Sequence, residues 1–254
     1  MSTVQVEIRE GIGTIRLAGP RGNAMSETLV SDLSTALRTV GGEPSVRAIL
    51  LSSAHPKLFC PGLDLVSLSG VGRAEMGAFM LSFSTVLTDL FALKKPVVAA
   101  VNGAAVAGGC LLALTADWRI AKRGAPMGLN EVKVGVPLPW SAVMLLKTAA
   151  PALAHTAVAL LGRNFEGEDA KTHGLANEIA EADTFDSLIV ERLAEFAEKD
   201  AYAFGVTKGY LRGPAVSSMR DRDVALLDEF LDGWFAESTQ ARIEKAVAAL
   251  KLKG

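Results

Sequence analysis

The sequence predicts an α/β fold: a core of alternating strands and helices, followed by a helical C-terminal part. Three observations carry this expectation. Short β-branched runs alternate with helix-length segments from Val4 to Pro139. Beyond Pro139 the remaining segments read mostly as helical. Half of the 254 residues are apolar, ample for a sizeable buried core. The length fits one large domain, or a core with a small helical appendage.

Taken in order, Val4 to Ile8 and Ile12 to Leu17 alternate in polarity on either side of a Glu10-Gly11 turn, as in a hairpin. Ala18 to Asn23 is a Gly/Pro loop. Ser26 can cap a helix to about Val40, with Leu29, Leu33, Ala36 and Leu37 on one face; Gly41-Gly42 stops it. Val46 to Ser52 is a buried-type strand, and Lys57 to Leu65 a loop rich in Pro and Gly. A helix follows over about Ala74 to Leu93, ended by Pro96. Val97 to Val101 is a second strong strand. Asn102-Gly103 turns, and a helix begins near Ala107-Gly108-Gly109. Trp118 to Ala121 can form a short strand. Asn130 to Pro139 is irregular, because Pro137 and Pro139 forbid a long helix. Later helices are expected at Trp140–Ala149, Ala152–Leu161, Glu168–Lys171, Asp183–Lys199, Ala201–Leu211, and Asp221–Leu250 with a break. The strand crossovers are expected to be right-handed.

Composition excludes several function classes. Charged residues make up 21% and nearly balance, for a formal net charge of -2, and no run of Lys and Arg offers a nucleic-acid surface. Two cysteines, Cys60 and Cys110, are too few for a disulfide framework and fit a reducing compartment. Residues 1–10 are polar and alternating, unlike a secretory signal or a transit peptide, and Lys251-Leu252-Lys253-Gly254 is no peroxisomal address. The expected location is the cytoplasm. Pro96 to Ala116 is apolar and nearly long enough for a membrane span. The interruptions at Pro96, Asn102 and Gly103 make a buried strand and helix the better reading. His55, His155 and His173 lack metal-ligand spacing, so no metal is expected.

Two loops share one physical theme. Cys60-Pro61-Gly62-Leu63-Asp64 and Ala107-Gly108-Gly109-Cys110 each follow a strand and precede a helix. Glycine admits close backbone approach, and free N–H groups at such turns can hold a developing oxyanion. On spacing alone, the reading to prefer for both is an ordinary strand-to-helix turn.

Phe59-Cys60-Pro61-Gly62-Leu63-Asp64-Leu65 resembles the first signature of the enoyl-CoA hydratase/isomerase (crotonase) family. The run from Lys95-Pro96 through Asn102-Gly103 to Ala107-Gly108-Gly109-Cys110 resembles the second, and Gly128-Leu129-Asn130-Glu131 to Gly135-Val136-Pro137 the third. Glu168-Asp169-Ala170 and Gly174-Leu175-Ala176 resemble a later segment, so that the likeness spans about Val4 to Leu211. Each piece is weak alone; the ordered set is specific.

The resemblance implies a crotonase-like β/α spiral core over residues 1–200 and a helical oligomerisation region over 201–254, assembling as a homotrimer or dimer of trimers. It implies an acyl-CoA thioester substrate, with coenzyme A carried as part of the substrate and no separate cofactor. It implies an oxyanion hole from the backbone N–H groups of Leu63 and Gly108. Gly62, Asp64, Gly109 and Leu111 are then expected at the substrate site, with Asp64 ordering its loop. Lys57 is a candidate for a coenzyme A phosphate, or an ordinary surface lysine. Met80, Phe83, Leu87 and Trp140 are candidate acyl-chain walls, or ordinary core residues.

Hydratases of this family use two glutamates. One of the two positions holds Leu111, and the other holds Glu131. Leucine can neither orient water nor transfer a proton, and a positioned acid–base group contributes about 10²–10⁴-fold. A 1,3-proton shift needs one carboxylate. The pattern is similar to the Δ3,Δ2-enoyl-CoA isomerase branch, which implies that Glu131 shuttles the proton. Alternatives are weak hydration, decarboxylation or thioester hydrolysis on the same site, and non-catalytic acyl-CoA binding.

Overall fold

The computed structural model describes residues 2–252. The end of the expected oligomerisation region, and with it the reading of the C-terminal tetrapeptide, reaches residues 253 and 254, outside the described residues; so does Met1 in the reading of the N-terminus.

The chain opens with the expected hairpin, β1 (Val4–Arg9) antiparallel to β2 (Ile12–Leu17). A single turn, α1 (Pro20–Asn23), leads to α2 (Glu27–Gly42), capped by the Ser26 hydroxyl accepting from Leu29 N–H. Next come β3 (Ala48–Ser53), β4 (Leu58–Cys60), the one-turn α3 (Leu65–Leu68) and the long α4 (Arg73–Ala92). They lead to β5 (Val97–Val101), β6 (Ala104–Val106), α5 (Gly108–Leu114), β7 (Trp118–Lys122) and β8 (Met127–Gly128). The third motif forms α6 (Glu131–Val134), one turn inside the segment expected to be irregular. Then follow α7 (Trp140–Ala149), β9 (Asn164–Phe165), α8 (Gly167–Thr172), β10 (Glu178–Ala180) and α9 (Phe185–Ala197). The chain closes with α10 (Ala201–Ala225), α11 (Leu227–Trp234) and α12 (Glu237–Lys251).

Two sheets result. One runs β1-β2-β3-β5-β7-β10 and is parallel beyond the hairpin; the other runs β4-β6-β8-β9, parallel except at β8–β9. Every residue of β5 is buried, because its two faces meet different layers. Val97, Ala99 and Val101 join the main core under α2 and α4. Val98 and Ala100 pack with Ile120, Phe185, Ile189 and Leu193 beneath α9. Each fully buried aliphatic or aromatic side chain stabilises the fold by about 1.5–3 kcal/mol.

The structure departs from the sequence expectation at several elements. The Lys57–Leu65 loop contains a strand, β4, that is too short to show periodicity. The expected helix Ala152–Leu161 is a 3-10 turn (Ala152–Ala154) followed by a π turn (Thr156–Leu160). The helix from Ala201 does not stop at Leu211: it runs through Pro214. Pro214 lies on an exposed face, where the carbonyl of exposed Tyr210 can meet water instead of the missing N–H. Among the described residues, no helix is long and apolar enough to cross a membrane.

Candidate active site

The two glycine turns meet at the edge of the second sheet. Met25 pairs in parallel fashion with the turn after β4: its N–H donates to Gly62 O at 2.8 Å and its carbonyl accepts from Asp64 N–H at 3.1 Å. This pairing uses the groups on either side of Leu63 and turns the Leu63 N–H the other way. Gly108 is the first residue of α5, where a helix leaves its N–H groups unpaired. Among the described residues, neither the Leu63 nor the Gly108 N–H has an acceptor in the protein. Both residues line one cavity of about 200 Å³.

Close backbone contact sets this arrangement. Gly62 has φ +97, and a Cβ there would sit 3.2 Å from the Gly108 nitrogen and 2.9 Å from the Ala107 Cβ. Ala107 itself holds φ 51, ψ -129, a strained conformation for alanine, fixed by its N–H donating to Gly128 O at 2.8 Å. Such strain in a residue beside an unpaired donor is the kind found at ligand sites.

Glu131 lies on the cavity wall at the start of α6. Its turn is held at the far end by Gly135 in the left-handed region, whose carbonyl accepts from Thr239 Oγ1 at 3.1 Å. A Cβ at Gly135 would meet that same hydroxyl at 2.7 Å. One carboxylate oxygen of Glu131, Oε2, is buried and has no hydrogen-bond partner. Burial pushes the Glu131 carboxyl up to about 7. Of the cavity-lining residues Glu131 alone is titratable; around it stand Leu63, Leu111, Val134 and Val136, with Met80 and Phe83 from α4. The carboxylate therefore faces an apolar chamber, poised to gain or lose a proton near neutrality.

A sequence model of the enoyl-CoA hydratase/isomerase family matches residues 7–245. The chain belongs to the enoyl-CoA hydratase/isomerase family. Among curated relatives, it is 27% identical to human mitochondrial enoyl-CoA delta isomerase 1 over 254 residues, 98% of this chain and 83% of the relative. It is also 32% identical to mouse mitochondrial methylglutaconyl-CoA hydratase, over 63% of this chain and 51% of the relative. Among solved structures, human mitochondrial delta3-delta2-enoyl-CoA isomerase superposes with a TM-score of 0.93 at 25% identity, covering 99% of both chains. An enoyl-CoA hydratase from Bacillus halodurans gives 0.89 at 26%, over 96% of this chain and 100% of that one. The crotonase-like fold is thereby shown, and with it an acyl-CoA enzyme of this family.

The other residues singled out from the sequence fall at different distances from this crotonase-family cavity. Leu111 lies on its wall. Gly62 stands directly behind the Gly108 nitrogen. Gly109 lies off the wall, because its Cα faces Cys60: a Cβ there would sit 1.9 Å from the Cys60 carbonyl oxygen. Asp64 is buried away from the cavity, paired with the Arg21 guanidinium and accepting from Ser67 N–H at 3.4 Å. Burial is the largest single effect and pushes its carboxyl up, but the Arg21 pair and the Ser67 bonds together outweigh it and hold the carboxyl below the usual range. Its partners fit the loop-ordering expectation rather than substrate contact. Lys57 is exposed and does not line the cavity. Of the candidate acyl walls, Met80 and Phe83 line the cavity and Trp140 lines an adjoining one; Leu87 is fully buried in the main core, since it faces inward from α4.

Cys60 and Cys110 are free and buried, and burial pushes both thiols up to about 12, which leaves them inert at neutral pH. Among the described residues no cluster of His, Cys, Asp or Glu could hold a metal ion. Sequence reasoning missed Phe230 and Trp234, which reach the cavity from α11. Their i, i+4 spacing puts both rings on one helix face, 6.1 Å apart, but the same spacing serves any core-facing helix. The helical C-terminal part thus forms one wall of the site.

Proposed function

We propose that the protein converts 3-enoyl-CoA thioesters to 2-enoyl-CoA by a proton shift on Glu131. The observation that carries this reading is a cavity with one titratable group, facing Leu111 and two unpaired backbone donors. The ionised Glu131 takes a proton from C2, between the thioester carbonyl and the double bond. The electron pair spreads over a dienolate whose oxygen is held by the Leu63 and Gly108 N–H groups. Glu131 then returns the proton to C4, leaving the double bond between C2 and C3, and no water is consumed. A carboxyl near 7 suits both halves of the cycle, since it accepts and releases the proton with similar ease. The apolar surround disfavours a competing water.

Weak hydration is the second reading, favoured by the likeness to methylglutaconyl-CoA hydratase. The two separate with purified protein, a 3-enoyl-CoA and, apart from it, a 2-enoyl-CoA, each followed by conjugated-thioester absorbance. Gain of conjugation with the first, little loss with the second, and no turnover by Glu131→Gln supports the isomerase. Fast loss with the second overturns it.

The proposal extends to assembly as a trimer or dimer of trimers. Exposed Val132, Leu160 and Leu161 lie beside the Glu131 turn, where a Cβ on Gly162 would touch Val132 Cγ1 at 2.9 Å. Light scattering on the eluting protein, read against the 26.7 kDa chain, tests it.

A further inference from the structure

The cavity at Glu131 does not end at its apolar wall. A second cavity of about 310 Å³ adjoins it and shares Met80, Pro137, Pro139 and Phe230 as walls. An acyl chain long enough to pass these residues leaves a chamber with one charged group and enters one whose walls, still largely apolar at Leu81, Leu138, Leu226 and Leu227, also carry polar and charged side chains. The far chamber is lined by Ser84 from α4, Trp140 at the start of α7, and Arg222 and Asp223 near the end of α10.

Asp223 is the organising group there. It accepts from the Ser141 backbone N–H at 2.8 Å, at the first turn of α7, which has no side-chain cap of its own. Ser141 Oγ donates to Ser84 Oγ at 3.3 Å; Ser141 is fully buried and Ser84 nearly so. The Arg222 guanidinium does not pair with Asp223 across the chamber: it stacks on the Trp140 ring at 3.9 Å. Among the described residues the Ser141 N–H is the one donor within hydrogen-bond distance of Asp223, on Oδ1. The Ser84 and Ser141 hydroxyls and the Trp140 backbone N–H approach the same carboxylate and oppose the rise in its pKa. Among the described residues, Oδ2 is therefore the acceptor still without a donor at that distance. Burial raises its carboxyl above the usual range, which fits a site partly withdrawn from water.

A methyl terminus placed against Asp223 would displace water from a carboxylate without supplying a hydrogen bond in return. A hydroxyl would donate to it, and a hydrogen bond to a charged acceptor is among the stronger ones. An anionic terminus beside Asp223 would meet two carboxylates, Asp223 and Glu229, against the one cation Arg222, whose guanidinium is already stacked on Trp140.

We propose that Asp223, with Ser84 and Ser141, forms a specificity site for the far end of the acyl chain, selecting acyl-CoA thioesters whose chain carries a hydroxyl group there. This deepens the acyl-CoA reading and rests on it. Asp223 is a positioning and recognition residue, and the proton shift does not pass through it.

The test uses saturated acyl-CoA thioesters in matched pairs, with a terminal methyl or a terminal hydroxyl, over a series of chain lengths. Binding to the full-length protein is read by titration calorimetry. At one length the hydroxyl member should bind about tenfold tighter. In Asp223→Ala the preference should disappear, and in Asp223→Asn it should shrink to a few-fold, because the amide oxygen still accepts. Equal or tighter binding of the methyl member at every length in the wild-type protein overturns the proposal, and this comparison does not depend on any variant folding. A hydroxyl preference that survives in Asp223→Ala also overturns it. Saturated thioesters have no double bond to move. A retained preference without isomerisation would sink only the proposed reaction; isomerisation with a methyl preference would sink only the specificity site.

Discussion

Gly109 and Cys60 meet at backbone distance. A Cβ built on Gly109 would fall 1.9 Å from the Cys60 carbonyl oxygen and 2.6 Å from its carbon. This contact presses the first turn of α5 against β4, and so sets the Gly108 N–H beside the Leu63 turn. Gly108 is tight too, but against side chains: Phe83 and Met25 atoms lie 3.3 and 3.4 Å from a Cβ position and need give by only a few tenths of an ångström. Gly109→Ala is expected to cost about 3 kcal/mol or more, because backbone must move. Gly108→Ala, which keeps its N–H, is expected to cost less than about 1.5 kcal/mol. Urea unfolding of the two variants measures the contrast.

The Glu131 carboxyl, raised to about 7, makes two predictions of linked sign. As a general base it must be ionised, so kcat/KM should fall about tenfold per pH unit below 7 and level off above it. The same group burdens the fold. The cost is absent below about pH 4.5, where folded and unfolded chains are both protonated, grows as pH rises toward 7, and is complete above it. Glu131→Gln should therefore be more stable than wild type at pH 8 by up to about 3 kcal/mol, and the gap should close toward pH 4.5. Thermal unfolding across that range reads it directly.

Leu111 is almost completely buried on the cavity wall. Leu111→Glu would put a second carboxylate in the chamber, able to orient water. Hydration of a 2-enoyl-CoA should rise at least about tenfold over wild type, the low side of what a positioned acid–base group supplies. Unchanged hydration in a folded variant would mean that leucine at this position is not what suppresses water addition.

Asp117 carries a structural load far from the site. It pairs with Lys208 at 2.6 Å and Arg212 at 2.8 Å, and accepts from Val97 N–H at 2.8 Å. Burial pushes Lys208 down to about 8 and Arg119, which feels Arg212 as well, down to about 10. Asp117→Ala would strand these buried cations and should destabilise the protein by about 3–5 kcal/mol. Denaturant titration at neutral pH checks it.

Much of the fold was legible in local sequence. Ser26 capped its helix, the hairpin turned at Glu10-Gly11, and Val97–Val101 formed a strand buried on both faces. These are short-range effects: a cap, a turn conformation, a run of β-branched residues. Glu131, Leu63, Gly108 and Leu111 could be named in advance because ordered motifs mark them, and all four line one cavity. What remained illegible depends on partners distant in sequence. No periodicity announces β4, a three-residue strand whose Leu58 and Cys60 pair with β6. The continuation of α10 through Pro214 follows from which side of the helix is exposed.

The sequence by itself determined the chemistry on offer, one glutamate opposite a leucine and two glycine turns able to free their N–H groups, because these are properties of residue type and local backbone. Only the tertiary structure decided that Glu131 loses its solvation, that Phe230 and Trp234 close the chamber, and that Asp223 waits beyond it. Desolvation and cavity shape depend on residues brought together from α4, α6, α10 and α11, and no segment of the chain encodes that meeting alone.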